Sequence, residues 1–238
     1  MGRPNLFIRL GGCPLRCAYC DTPRSWKAQR EGELHLPSGT ERFANPVDTA
    51  SLTQLLDRLV EAHEAAWPGL VLAVTGGEPL EQVDFLEEWL PKAPAPVLLE
   101  TAGIHADALA RVLPTLRFVS LDAKDPADLR AGAELDAYAE CLQATAREAQ
   151  QRPADRPLSF WTKFVMTENT QSSWLQGRLA GIAAEVPGAT VYLQPVTPRP
   201  GSPAAPSADR LLAEVLAAQE LALDLRVLPQ VHPFLEMR

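Results

Sequence analysis

Apolar runs and helix-patterned segments alternate along nearly the whole chain, and that alternation is the tightest constraint on its fold. Residues 5–10, 70–74, 96–99, 117–121, 159–166 and 190–193 are short apolar runs with strand character. Each is followed by a polar segment and then by apolar positions at helical spacing. The first helix is expected to be capped by Thr49 or Ser51 and to present Leu52, Leu55, Leu56, Leu59 and Val60. Others are expected near 81–90, 105–113, 134–149, 172–185 and 207–222, with a last extended run at 225–228. A strand reaches a parallel neighbour only by a crossover, and the crossover helix then covers the sheet. Six such units close only part of a barrel. The expected fold is therefore α/β, a partial (β/α)6-type barrel of parallel strands in a single domain spanning 1–238. Residues 22–48, polar and rich in Gly and Pro, are expected to be an irregular excursion.

Charge and cysteine usage narrow the function classes. The formal net charge is -8, and only four lysines occur, at Lys27, Lys92, Lys124 and Lys163. Nucleic acid needs clustered cations, so it is not an expected partner. No apolar run approaches the ~20 residues of a membrane span, and no charged segment followed by an apolar one opens the chain. Three of the four cysteines crowd into eight residues, which does not read as a disulfide framework. The expectation is a cytoplasmic protein without a membrane partner.

Those three cysteines are spaced Cys13-x3-Cys17-x2-Cys20 at the end of the first strand. Three thiolates on one tight loop suit three irons of a [4Fe–4S] cluster and leave the fourth iron open to a small molecule. The competing reading is a structural zinc site. Zinc wants four ligands, and the nearest candidate beyond the trio, His35, lies in a loose segment. Cys141 falls on a predicted helix beside Leu135, Tyr138 and Leu142 and reads as a small buried hydrophobe.

The cysteine triplet, followed by Thr75-Gly76-Gly77-Glu78-Pro79 at the end of the second strand, resembles the radical S-adenosylmethionine (SAM) superfamily. A finer resemblance is to the 7-carboxy-7-deazaguanine synthases. It rests on Phe7-Ile8-Arg9-Leu10-Gly11-Gly12-Cys13, Cys20-Asp21-Thr22, Glu100-Thr101-Ala102-Gly103 and Pro229-Gln230-Val231-His232. The resemblance implies a lyase of queuosine and deazapurine biosynthesis. It would take 6-carboxy-5,6,7,8-tetrahydropterin, remove a hydrogen from C6, contract the ring and release ammonia. It also implies SAM, a [4Fe–4S] cluster and Mg²⁺ as cofactors, a flavodoxin or ferredoxin as electron donor, and a homodimer. A glycyl-radical-enzyme activase shares the cysteines and the Thr-Gly-Gly-Glu-Pro motif but lacks Cys-Asp-Thr and the terminal Gln-x-His. A zinc-binding adaptor is the non-enzymatic alternative.

The resemblance also implies residue roles, each with a bland competitor. Cys13, Cys17 and Cys20 would hold the cluster. Thr22 would offer its hydroxyl to Mg²⁺, or merely cap a turn. Arg9 would clamp a substrate carboxylate, or form an internal salt bridge. Gly76, Gly77 and Glu78 would hold the SAM amino group while also making a strand-to-helix turn. Ser120, Asp122, Lys124 and Gln194 would address SAM, and Thr75, Glu100 and His232 the substrate. Lys124 and Lys163 could instead be paired structural charges, and His232 a lone terminal side chain. Family members carry a segment ending in Gly-Glu-Gly ahead of the Gly-x-Pro that corresponds to Gly2-Arg3-Pro4. The expectation is an in-frame Gly-Glu-Gly upstream of Met1, or a different substrate.

Overall fold

The computed structural model describes residues 5–36, 39–64, 68–130 and 135–231. In chain order, β1 (Asn5–Leu10) leads through the cysteine loop to a hairpin of β2 (Glu31–Leu36) and β3 (Gly39–Ala44), then to α1 (Thr49–Glu64). Strand and helix alternate from there: β4 (Val71–Gly76), α2 (Val83–Trp89), β5 (Val97–Thr101), α3 (Ala106–Val112), β6 (Phe118–Ala123) and α4 (Tyr138–Gln151). The remainder is β7 (Ser159–Met166), α5 (Ser172–Glu185), β8 (Ala189–Pro195), α6 (Ala208–Ala217) and β9 (Leu223–Val227). Seven strands form one sheet in the order β1-β4-β5-β6-β7-β8-β9. Each pairing in it is parallel. β1 and β9 remain edges, so the sheet curves without closing, as the partial barrel anticipated; the last extended run is its seventh strand.

Each strand of the large sheet lies beside the one before it in that sheet, and crossovers of a single hand, the rule for parallel strands, carry the described helices to one face. Side chains alternate between faces along a strand. Leu72 and Val74 of β4, Val97 and Leu99 of β5, and Val119 and Leu121 of β6 therefore join the helices in the main core. Val71, Ala73 and Leu98, with Phe118 and Trp161 against them, form a smaller cluster that contains no helical residue. The second face is thus free of helices among the described residues, and the polar residues of the strands open onto it.

Two expectations are corrected. Residues 22–48 are not irregular throughout: a 3-10 turn at Pro23–Trp26 precedes the antiparallel β2–β3 hairpin. Glu31, Glu33 and His35 alternate with half-buried Gly32, Leu34 and Leu36, and a Cβ on Gly32 would collide with the Phe43 ring that covers it. The cap of α1 is Asp48, not Thr49 or Ser51. Its carboxylate accepts from the Ser51 amide at 2.7 Å and the Ser51 hydroxyl at 3.0 Å, satisfying an orphan donor of the first turn.

Candidate active site

The site grows from the carboxyl ends of the strands, where chains leave a parallel sheet and backbone groups become available. After β1 the chain turns into the cysteine loop. Cys13, Cys17 and Cys20 are half-buried, and the Cys20 amide donates to the Cys17 carbonyl at 3.1 Å. Leu15 roots the loop at 3% exposure. Arg16 donates to the carbonyls of Cys13 (2.5 Å) and Leu15 (2.6 Å) and lies over the Trp26 ring. From the other side, the segment after β6 grips the loop: the Ala18 amide donates to the Asp128 carbonyl, and the Arg130 amide to the Arg16 carbonyl.

Burial pushes the Cys13 thiol up to about 11, and burial raises Cys17 as well, with its neighbour Cys20 adding to the rise and Lys124 opposing it. These thiols are poor free nucleophiles and suit a cationic centre that takes them as thiolates. Among the described residues no three His, Cys, Asp or Glu side chains converge on a single ion. A tetrahedral zinc would need its sulfurs about 3.8 Å apart. A cubane takes each thiolate on a different iron, which three cysteines on one short loop can supply. The fourth cysteine, Cys141, has no exposure and lies in the helix-side core, on the far face of the sheet from the open site.

At the end of β4, two glycines let backbone meet backbone. A Cβ on Gly77 would stand 1.9 Å from the Gly12 carbonyl oxygen, and one on Gly76 would stand 2.3 Å from that of Leu10. The Gly77 amide donates to Leu10 and the Glu78 amide to Gly12, so this turn clamps the root of the cysteine loop. Gln82 adds a hydrogen bond to the Gly11 carbonyl at 2.5 Å. The Glu78 side chain points into the protein. At 1% exposure its carboxylate accepts from the Thr101 hydroxyl (2.7 Å) and the amides of Ala102 (2.8 Å) and Leu80 (3.1 Å). Burial raises its pKa against those hydrogen bonds.

On the open face the register brings the remaining candidates together. Arg9 pairs across with Thr75, Glu100 with Ser120, and Asp122 with Lys163. Asp122 is the hub: Lys163 Nζ lies 2.9 Å and Lys124 Nζ 3.4 Å from its Oδ2, and the Ser120 hydroxyl donates to Oδ1 at 3.2 Å. Lys163 also stands 4.0 Å from Glu100. Burial alone would raise Asp122, but the two ammonium groups hold it below the usual carboxylate value. Burial likewise disfavours both lysine cations. Tyr19, Asp122 and Cys17 nonetheless raise Lys124 well above its ordinary value, and Asp122 with Glu100 raises Lys163. Lys124 also lies 5.7 Å from the centre of the Tyr19 ring, beside the cysteines. The array therefore keeps four charges in place beside the cysteine loop, ready to orient a polar ligand.

The other expected residues fall around this array. Gln194 lies on the same face, opposite Val165 and one step beyond the Lys163–Tyr192 pair. Thr22 sits between Arg9, which donates to its hydroxyl at 3.3 Å, and Asp21, whose carboxylate accepts that hydroxyl at 3.2 Å. His232 and the Gly2-Arg3-Pro4 segment lie outside the described residues. Three contributors escaped the sequence reading. Arg199 donates to the Asp21 carbonyl at 3.0 Å, bringing the Pro-rich loop after β8 onto the cysteine loop. Asp128 binds Thr167 and Asn169 and so fixes the segment that grips Ala18. Tyr19 lies between two of the cysteines. Only Tyr19 had a local signal, its place inside the triplet.

Residues 7–147 match the family model of the radical SAM superfamily. The chain is 31% identical to the 7-carboxy-7-deazaguanine synthase of Geobacter sulfurreducens over 99% of its own length and 90% of that protein. It is 29% identical to the 7-carboxy-7-deazaguanine synthase of Methanothermobacter thermautotrophicus, over 100% of this chain and 92% of the relative. Among solved structures, Streptococcus suis SuiB superposes on 95% of this chain with a TM-score of 0.62 at 10% identity. The chain spans about half the length of that protein, 50%, and the likeness is one of fold. With its three-cysteine loop and its glycine turn on a parallel half-barrel, the chain belongs to the radical SAM superfamily and, within it, to the 7-carboxy-7-deazaguanine synthase family.

Proposed function

We propose that this chain converts 6-carboxy-5,6,7,8-tetrahydropterin to 7-carboxy-7-deazaguanine with loss of ammonia, a carbon–nitrogen lyase step of queuosine and deazapurine biosynthesis. The observation that carries the reading is the cysteine trio beside a charged, helix-free face, in a chain similar along its whole length to synthases of that name. Cys13, Cys17 and Cys20 would hold the [4Fe–4S] cluster, and Cys141, remote in the helix-side core, would not compete with SAM for it. Bound there, the cluster and SAM supply reductive cleavage of the sulfonium and, through it, hydrogen-atom abstraction.

The chain's own residues bind and orient. Backbone carbonyls at Gly76 and Gly77 receive the SAM amino group, while Glu78 fixes that turn from behind. Ser120, Asp122, Lys124 and Gln194 address the rest of SAM. Arg9, exposed at the edge strand, matches the planar carboxylate of the substrate. Glu100 accepts hydrogen bonds from the aminopyrimidinone edge, Thr75 lies between Arg9 and that edge, and His232 contacts the pterin. The Thr22 hydroxyl and Asp21 are hard oxygen donors of the kind Mg²⁺ accepts. A flavodoxin or ferredoxin delivers the electron. The protein works as a homodimer of single-domain protomers in the cytoplasm.

Anaerobic reconstitution, followed by incubation with the carboxypterin, SAM and a reductant, tests the proposal. Product with the mass of 7-carboxy-7-deazaguanine is expected, dependent on all three cysteines. A fully loaded cluster that binds SAM yet leaves the pterin unchanged would refute the substrate assignment.

A further inference from the structure

At the amino-terminal edge of the sheet, the end away from the cysteines, a cavity of about 440 Å³ lies among the segments that approach β5, β6 and β7. Its wall is apolar and stiff, because Pro91, Pro94 and Pro96 fix the backbone where it approaches β5. Its only charged lining residues are Arg117, just ahead of β6, and Arg156, just ahead of β7. Neither guanidinium has a hydrogen bond or ion pair among the described residues. Some arginines elsewhere do find carboxylates: Arg111 reaches Glu87 at 2.5 Å, Arg152 reaches Glu148 at 2.6 Å and Arg226 reaches Asp224 at 2.6 Å. Arg24, Arg30, Arg58, Arg147 and Arg178 also lack a side-chain hydrogen bond or ion pair among the described residues; what sets Arg117 and Arg156 apart is that both line one cavity whose other lining residues are uncharged.

Guanidinium is the side-chain group best matched to phosphate, because its planar fork donates to two oxygens at once. A phosphate monoester carries about two negative charges at neutral pH, which balances two arginines. The volume falls in the roughly 300–1,000 Å³ range of small-molecule sites. We propose that this cavity binds a small phosphate monoester, with the phosphate between Arg117 and Arg156 and the organic group on the proline wall. The site is separate from the cysteine edge and owes nothing to the reaction proposed above.

Calorimetric titration of the reconstituted chain with phenyl phosphate, inorganic phosphate and benzoate tests it. Phenyl phosphate is expected to saturate one site, with the other two at least about tenfold weaker, since each lacks either the ring or the second charge. Arg117→Gln and Arg156→Gln should each weaken phenyl phosphate by about tenfold or more, the worth of a charge-assisted hydrogen bond, with cluster absorbance and turnover unchanged. Arg156 is exposed on a loop, so its variant keeps the test alive even if Arg117→Gln impairs folding. Non-saturable binding, equal affinity for inorganic phosphate, or undiminished binding by Arg156→Gln would each overturn the assignment.

Discussion

Two carboxylates two strands apart in the sheet, the buried Glu78 after β4 and the half-buried Asp122 in β6, have opposite surroundings. Neutral donors surround Glu78: one hydroxyl and two amides, all belonging to the frame that joins β4 to β5. Asp122 has two ammonium groups, at 2.9 and 3.4 Å, on the face that no helix covers. Burial raises the pKa of Glu78, whereas Asp122, against the pull of burial, is held down by its lysines. Burial of a carboxylate therefore does not by itself mark chemistry. What distinguishes the two is whether the surrounding groups are spent on joining chain to chain or remain turned toward a space a ligand can fill. Glu78 belongs to the motif that most resembles the superfamily, and its side chain acts as framework. Asp122 belongs to no motif and organises the open face.

The strongest way to break the comparison is to attack the frame. Gly77→Ala drives a methyl group toward the Gly12 carbonyl oxygen, a backbone atom 1.9 Å from the built Cβ that has no room to yield. The cysteine loop must move, and iron content after reconstitution is expected to drop to background while far-UV circular dichroism stays native. Native iron loading would show that the corner is not rigid. Next in size is Asp122→Asn, which strands Lys124 and Lys163 without their shared counter-charge. With iron content intact, kcat/KM should fall roughly a hundredfold, in line with a broken buried ion pair. An unchanged kcat/KM would demote the array to scaffold. The amides of Leu80 and Ala102 bond different oxygens of Glu78, so Glu78→Gln sets its amide donor against one or the other of them, and unfolding free energy in urea should drop by about 2–3 kcal/mol.

The half-barrel was legible because its central strands are continuous apolar runs, such as Val71–Val74, and its helices carry one apolar stripe each. The cysteine loop was legible because its three ligands are local. The hairpin was passed over although Glu31–Leu36 alternates with period two: a glycine occupies one inward position, and Phe43 from the partner strand fills the place of its side chain. The Asp48 cap lay one residue outside the stretch considered for it. Long-range partners left no trace. Lys163 stood out as a scarce lysine after an apolar stretch, yet nothing local joined it to Asp122. Arg199 and Asp21 lie 178 residues apart and meet only because β8 and β1 end on the same edge.

The subtlest test reads the two carboxylates through the pH dependence of stability in the cluster-free chain. Asp122 is lowered in the fold, so the stability it contributes is present above its ordinary value of 3.8 and is lost as pH falls through its folded value. Glu78 is raised, so its contribution is present below its ordinary value of 4.5 and is lost as pH rises through its folded value. Urea unfolding across the acid range should therefore give difference curves of opposite slope. The advantage of the native chain over Asp122→Asn shrinks on acidification, while its advantage over Glu78→Gln grows. Because only one proton is at stake at each site, this effect is smaller than any substitution cost above. Parallel curves would mean that the neutral donors around Glu78 hold its charge as firmly as the lysines hold that of Asp122, and the contrast between frame and open face would then rest on position alone.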